Sequence, residues 1–250
     1  MVQIPMVSNG PVTKQTVLSI NQICVQGPKS SRNITSINGG ISRNPSSSPA
    51  AHTTGHTALP AQKPAPALLC PIRKGQKVPL ETQGRLTGIN ACLGWNTSNA
   101  DCDVDVSAFL LSSFGKVLGD TWFVFYGQTK SPDNSTIFTL DQGADREIIS
   151  IDFTKLNTEV QKIVFVLTIN EALEKNLNFS MLRDAYIRIM DRTSHKEIVS
   201  FKMEEYYSNV TSMMIGEIYR HNDQWKFNAI GNGVARDLAG LCEFYGVQVI

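Results

Sequence analysis

Asp101-Cys-Asp-Val-Asp-Val-Ser-Ala-Phe-Leu-Leu111 places three carboxylates at alternate positions directly before an apolar run. In extended backbone, residues i and i+2 share one face about 7 Å apart, so Asp101, Asp103 and Asp105 gather their charges where burial begins. Such a cluster attracts a cation, and hard oxygen ligands favour Ca²⁺ over softer metals. These residues alone leave a second interpretation open, in which the acids solvate a loop and blunt an edge strand.

A second acidic segment, Asp141-Gln-Gly-Ala-Asp-Arg-Glu147, also stands directly before a β-rich run. Two acidic loops that lead into strands can meet at one end of a pair of packed sheets. The sequence therefore predicts a metal site with six candidate ligands, Asp101, Asp103, Asp105, Asp141, Asp145 and Glu147. Arg146 opposes this interpretation because it offers an internal ion pair.

The chain around these acids has the pattern of a mainly β protein. From residue 85 to residue 230, about ten short runs rich in β-branched and aromatic residues alternate with turn sequences. Lys162–Ile169 and Ala108–Leu111 are apolar on both faces, which places them at the centre of two packed layers. The pattern predicts a β-sandwich of two sheets with a few short helices, the latter at Glu171–Leu177 and Gly233–Tyr245.

The N-terminal part of the chain has a different composition. Residues 1–70 contain five basic residues, eight prolines, no acidic residue and no aromatic residue, whereas residues 71–250 contain 18 basic and 22 acidic residues. A segment that is poor in large apolar groups buries too little surface to offset its chain entropy. We therefore expect a basic, Pro/Ser-rich and largely disordered tail at 1–70, followed by one domain at 71–250.

Several classes of function are disfavoured by the sequence. It contains no GxSxG, HExxH, Walker A or CxxC motif, so we expect no enzyme. The acidic excess of the domain argues against specific binding of nucleic acid. No apolar stretch approaches the roughly 18–20 residues of a membrane span, and no secretory signal is present, so we expect a cytoplasmic protein. The five cysteines are scattered, which is typical of reduced packing thiols.

The segments described so far resemble the TerD family of tellurium-resistance and stress-response proteins, in the order typical of that family. The opening Ile72–Leu80 looks like the first strand of the family, and the match continues to the C-terminus. The matching segments are Leu93–Trp95, Asp101–Leu111, Gly119–Asp120, Phe123–Tyr126, Lys162–Ile169, Ala185–Arg188, Gly216–Asn222, Trp225–Phe227, Leu241–Cys242 and Tyr245–Val247.

The resemblance implies a cytoplasmic β-sandwich that binds Ca²⁺ in acidic loops and serves resistance to tellurite and other stress. It also implies a scaffold role beside other tellurium-resistance (Ter) proteins, in a complex near the membrane. The DxDxD element of the family is carried over onto Asp101, Asp103 and Asp105. The longer second calcium loop of the family is contracted here to 141–147, where Asp145 and Glu147 match its closing acids.

A different class of function stays open at this point. A cyclic-AMP-binding protein also resembles the family, which suggests a module that binds a cyclic nucleotide or another small anion. In that case, Arg220 and the Gly231-Asn-Gly233 turn are the expected anion contacts.

Overall fold

The computed structural model describes residues 62–81 and 86–249. The expected disorder of residues 1–61 lies outside these ranges. Residues 62–70, which belong to the predicted tail, lie against the domain, and we call them the N-terminal strap. At its C-terminal end, the backbone N–H groups of Leu69 and Cys70 both donate to Glu197 Oε1 at 2.8 Å. The domain boundary at residue 70 stays a prediction.

Within the described ranges, short strands account for most of the regular structure. In chain order they are β1 (Lys77–Pro79), β2 (Gly88–Thr97), β3 (Val104–Leu111), β4 (Phe123–Val124), β5 (Thr136–Leu140), β6 (Glu147–Asp152), β7 (Lys162–Ile169), β8 (Leu182–Asp191), β9 (Glu197–Lys202), β10 (Ser212–His221) and β11 (Gln224–Val234). The α-helices are α1 (Ala172–Lys175) and α2 (Leu238–Tyr245), and single 3-10 turns occupy Asp120–Trp122 and Phe179–Met181.

The strands form two antiparallel sheets that pack face to face. One sheet has six strands in the order β1-β11-β10-β7-β3-β4, and the other has five in the order β5-β6-β2-β8-β9. The inward side chains of both sheets belong to one hydrophobic core. The predicted β-sandwich with a few short helices is confirmed.

Strand β7 shows why a strand of this fold is apolar on both faces. Ile163, Phe165 and Leu167 point into the core between the sheets. Val164 and Val166 point the other way, into a second cluster that α2 covers. The six-stranded sheet, with β7 at its centre, is therefore the middle layer between the five-stranded sheet and α2. The predicted central position of this strand is confirmed.

Helix α2 packs on the outer face of the six-stranded sheet, as expected, but it begins later than predicted. Gly231 and Gly233 still belong to β11, whose pairing with β10 continues to Val234. The helix starts after Asp237, whose side chain accepts a hydrogen bond from Gly240 N at 2.8 Å. The predicted start at Gly233 is wrong because this N-cap comes only after the ladder ends.

Helix α1 is shorter than the predicted Glu171–Leu177. Glu171 and Asn176 flank it with φ values of 48° and 53°, so left-handed residues limit the helix at both ends. Glu171, which was predicted to be the first residue of the helix, is instead its N-cap.

The described cysteines are free, and most of them are buried. Cys92, Cys102 and Cys242 lie in the interior, whereas Cys70 is exposed. Burial raises the pKa of each of the three interior thiols to about 12. These thiols therefore stay protonated and serve as packing groups, in agreement with the sequence. Cys24 lies outside the described residues.

We expect the substitution Gly94→Ala to destabilise the sandwich. Gly94 on β2 faces Tyr186 on β8, and a Cβ added to Gly94 would overlap the tyrosine ring. Overpacking of this kind costs about 1–3 kcal/mol, so the Tm should fall by several degrees. The control is Gly119→Ala, where an added Cβ would lie 3.7 Å from Trp122. Equal thermal unfolding curves for the two variants would contradict the predicted clash.

Candidate metal centre

The first acidic segment forms a tight loop before β3. Asp101 N donates to Asn99 Oδ1 at 2.9 Å, which turns the chain, and Asp101 itself is exposed. Asn170 N donates to the carbonyl of Asp103 at 2.9 Å, which ties the loop to the end of β7. Asp103 and Asp105 are half-buried, so these two carboxylates are less exposed to solvent than that of Asp101.

Glu147 reaches the first segment from the other sheet. It shares the inward face of β6 with Ile149 and Ile151, which lie in the core. Because β4 pairs with β3 only at Ala108 and Phe109, the N–H of Val106 has no ladder partner from β4. Glu147 Oε2 accepts this N–H at 2.7 Å, so the carboxylate links the two sheets beside Asp105.

Burial, together with nearby carboxylates, raises the pKa of each of the three inner carboxyls. Burial raises the pKa of Asp105 to about 7, and the negative charge of Asp103 adds to the effect. Burial, followed by the charge of Asp105, holds the pKa of Glu147 well above its ordinary value, although the Val106 N–H opposes this. Burial also raises the pKa of Asp103, and the ammonium of Lys175 opposes it. The group thus combines desolvation with mutual repulsion, both of which a cation would relieve.

A cavity of about 270 Å³ opens beside Asp105. It lies between the ends of β3 and β7, α1 and the first turn of α2. Its lining includes four acidic residues and no basic residue; the acids are Asp105, Glu171, Glu174 and Asp237. Ser107, which also lines it, has a buried Oγ without a hydrogen-bond partner among the described residues. The cavity gives a cation an approach to Asp105 through negative potential.

Asp145 faces away from this cavity. It is buried on the outer side of the five-stranded sheet, where Arg188 donates to it through Nε at 2.9 Å and Nη2 at 2.6 Å. Tyr186 Oη donates to the same carboxylate at 2.9 Å. Asp145 therefore pairs with Arg188 on β8. Arg146 donates through Nε to the carbonyl of Trp95, and its charge opposes the rise in the pKa of Glu147.

Asp141 closes the loop instead of joining the cavity. Its Oδ2 accepts the backbone N–H of Asp145 at 2.9 Å. The ammonium of Lys63, from the N-terminal strap, donates to three carbonyl groups of the same loop. Protein cations thus satisfy the carbonyls and the Asp145 carboxylate of this segment.

The structure does not bring the six predicted ligands together. The charges of Asp103, Asp105 and Glu147 influence one another, and Asp105 lines the cavity. Asp101 lies at the exposed edge, and Asp141 and Asp145 lie on another face of the domain. Across residues 62–81 and 86–249, no three His, Cys, Asp or Glu side chains are arranged to hold a metal ion. The donor chemistry of the inner three still fits Ca²⁺, because all three are carboxylates, which are hard oxygen ligands. Asp145 does not fit, because its oxygens are already used.

Sequence reasoning missed Tyr186, Arg188 and Lys63. A signal existed for the first two, because Tyr186 and Arg188 alternate with the apolar residues Ala185 and Ile187 along β8. Polar groups at i and i+2 on a buried strand require a partner, which here is Asp145. Lys63 carried no such signal, since it stands in a Pro- and Ala-rich stretch.

The residues proposed for an anion site lie at opposite ends of one hairpin. Arg220 pairs with Trp225 across the ladder near the β10–β11 turn, and its Nη2 donates to Asp223 at 3.0 Å. Gly233 lies opposite Met213 at the other end of the same two strands. Seven residues of strand separate the two positions, or roughly 23 Å, so they cannot contact one small anion.

Among the described residues, no helix combines the length and the apolar character needed to cross a membrane.

Comparison with known proteins agrees with this fold. The TerD domain model matches residues 69–245. The tellurium resistance protein TerD of Serratia marcescens is 40% identical over 164 residues, which cover 62% of this chain and 85% of the relative. General stress protein 16U of Bacillus subtilis is 35% identical over 188 residues, covering 71% of this chain and 97% of the relative.

A solved structure shows the same fold at low identity. The crystal structure of the unknown-function protein SAV2460 superposes with a TM-score of 0.52 at 16% identity and covers 65% of this chain and 98% of that one. The family model spans most of the described domain, including both acidic segments. The chain therefore belongs to the TerD family of tellurium-resistance and stress-response proteins.

Proposed function

We propose that this protein is a non-enzymatic, calcium-binding stress-response protein whose ion is held by Asp103, Asp105 and Glu147. Asp101 stands at the entrance to this group and completes the set of oxygens when the loop adjusts. In this proposal the sandwich is a scaffold in a cytoplasmic or membrane-proximal complex with other Ter proteins.

The observation that carries the proposal is the raised pKa of all three inner carboxyls. Each has a raised pKa because it is buried close to another acid, so the ion-free protein holds charge that it cannot solvate. Ca²⁺ takes 6–8 oxygen ligands in flexible geometry, including carbonyls and waters. Ca²⁺ can therefore bind carboxylates that are not already arranged around one point. A smaller ion that requires octahedral geometry fits such carboxylates less well.

The similarity to other Ter proteins supports the proposed partners. The chain is 30% identical to tellurium resistance protein TerA of Alcaligenes sp. over 126 residues and 29% identical to TerZ of Serratia marcescens over 159 residues. TerA and TerZ carry different names but are both similar in sequence to this chain. This similarity supports the proposal that several related Ter proteins assemble with one another. The names of the relatives describe resistance and stress, which supports a function without catalysis.

The test of the proposal is thermal unfolding with and without Ca²⁺. A ligand that binds only the native state at 100 times its Kd adds about 2.7 kcal/mol of stability. We therefore expect saturating Ca²⁺ to raise the Tm of the chelator-treated protein by roughly 5–10 °C. The variant Asp103→Asn should lose this rise.

The matched control for this test is Asp223→Asn, which removes the same charge from an exposed turn. Asp223 has a φ of 60°, which asparagine tolerates, and this variant should keep the full response to Ca²⁺. The calcium proposal fails if millimolar Ca²⁺ leaves the wild-type Tm unchanged. It also fails if Asp103→Asn responds as strongly as the control.

A further inference from the structure

Lys63 binds the 141–145 loop as a cation would. Its Nζ donates to the backbone carbonyls of Asp145 at 2.7 Å, Gly143 at 3.2 Å and Asp141 at 3.3 Å. An ammonium group has three N–H donors, and all three carbonyls belong to one short loop. The loop therefore encloses a positive charge with three inward oxygens.

The backbone of the strap holds Lys63 in this position. Lys63 N donates to Asn96 Oδ1 at 3.0 Å, and Asn96 Nδ2 donates to the carbonyl of Lys63 at 2.9 Å. Gln62 Nε2 donates to the carbonyl of Thr97 at 2.8 Å. Asn96 and Thr97 are buried residues of β2, so these contacts are made with the body of the domain.

The rest of the strap connects this anchor to the edge of the five-stranded sheet. Its other fixed end is at Leu69 and Cys70, where Ser200 N also donates to the carbonyl of Cys70 at 2.9 Å. Pro64 and Pro66 lie between the anchors, and proline favours an extended chain with a rise of about 3.1 Å per residue. The seven steps from Lys63 to Cys70 thus span up to roughly 22 Å, enough to lie along the domain.

The acidic side chains of the loop have other partners. Asp145 is bonded to Arg188 and Tyr186, and Asp141 Oδ2 accepts the Asp145 N–H. A divalent ion at this loop would have to use the three carbonyls that Lys63 occupies. The two cations cannot share these oxygens, because their charges repel at close range.

We propose that Lys63 is a built-in cation that closes the 141–145 loop, and that removal of its charge converts the loop into a divalent-cation site. The loop then offers the carbonyls of Asp141, Gly143 and Asp145, together with the second oxygen of Asp141 and water. These are ligands that Ca²⁺ accepts. The inference is independent of the proposed calcium site, because it concerns another face of the domain.

The test compares Lys63→Met with Lys196→Met, which removes an exposed lysine from the β8–β9 turn. Both substitutions are placed in the Asp103→Asn background, which silences the first acidic segment, and Ca²⁺ is titrated by calorimetry. We expect Lys63→Met to gain one Ca²⁺ per chain relative to Lys196→Met, with a Kd on the order of 10⁻⁴ to 10⁻³ M. Lys63→Gln, which keeps a donor without the charge, should gain the same site.

Hydrogen exchange gives a second measurement on the same proteins. Loss of the ammonium contacts should speed exchange at residue 63 on the order of tenfold or more, because each hydrogen bond contributes about 1 kcal/mol. An unchanged number of bound ions in folded Lys63→Met would overturn the proposal, as would an equal gain in Lys196→Met. Neither result would bear on the Asp103 cluster, which the Tm experiment tests in the otherwise unchanged protein.

Discussion

The variant Arg188→Met should unfold at a free energy about 3–5 kcal/mol lower than the wild type, because it leaves the Asp145 carboxylate buried without its cation. Only 5% of the Asp145 side chain and 18% of the Arg188 side chain are exposed. Methionine keeps the apolar stem of the arginine, so the loss arises from the charge and not from packing. Urea unfolding followed by circular dichroism measures the change.

The matched control for this prediction is Lys202→Met, on the neighbouring strand β9. Lys202 also pairs with an aspartate, Asp184, at 2.8 Å, but 47% and 44% of these two side chains are exposed. An exposed pair contributes about 0–1 kcal/mol. If both variants lose the same stability, Asp145 and Arg188 do not form the buried pair that the structure shows.

A second substitution separates charge from geometry at this position. Adding Asp145→Asn to Arg188→Met removes the unpaired carboxylate, so the double variant should recover part of the lost stability. Interaction energies of residues in contact are 0.5–3 kcal/mol in double-mutant cycles, and this pair should lie at the upper end of that range. Additive effects of the two substitutions would contradict a direct interaction.

The variant Asp105→Asn should have two opposite effects. Without calcium at pH 8, it should be more stable than the wild type, because asparagine resembles the protonated carboxyl that the site favours. With calcium, it should lose most of the stabilisation that the wild type gains. A site that binds no cation would show the first effect without the second.

The sign of the pH dependence follows from the raised pKa of Asp105. The folded pKa is about 7 and the ordinary value is 3.8, so the native state holds the proton more tightly than the unfolded chain. The stability that the proton confers is complete below pH 3.8 and is lost as the pH rises through about 7. Above pH 7 the folded protein therefore bears the cost of a buried charge that the unfolded chain does not bear.

Calcium-free Tm values measured from pH 4 to pH 8.5 check this dependence. Over this interval the wild type should lose more stability than Asp105→Asn, and Asp223→Asn should follow the wild type. Parallel curves for all three proteins would show that the Asp105 carboxyl is not desolvated in the folded state.

Much of the fold could be predicted from the sequence because it depends on local patterns. The run Lys162–Ile169 is apolar at every position except Lys162 and Thr168, and the structure gives it the same bounds as β7. The predicted helix around Leu241 and Tyr245 is present as α2, and it covers the outer face of the six-stranded sheet. The Gly231-Asn-Gly233 turn was misinterpreted because glycines can also lie in a ladder, where Gly231 has a φ of 60°.

The candidate site was less predictable because it depends on which face each acid reaches. Asp145 and Glu147 stand two residues apart, and such residues share a face only when both are extended. The strand begins at Glu147, so the bend before it sends Asp145 to the outside and leaves Glu147 between the sheets. Arg188 lies 43 residues from Asp145 and Lys63 lies 82 residues from it, separations that no local pattern records.

The hydrogen bonds of Lys63 also affect how the domain responds to its surroundings. A free ion is supplied at the concentration of the solution, and a chelator can remove it. A lysine on the same chain is present at a fixed effective concentration, which for short flexible connections is in the millimolar range. The loop at 141–145 therefore carries its own cation at every level of free calcium, and the calcium response that we propose is confined to Asp103, Asp105 and Glu147.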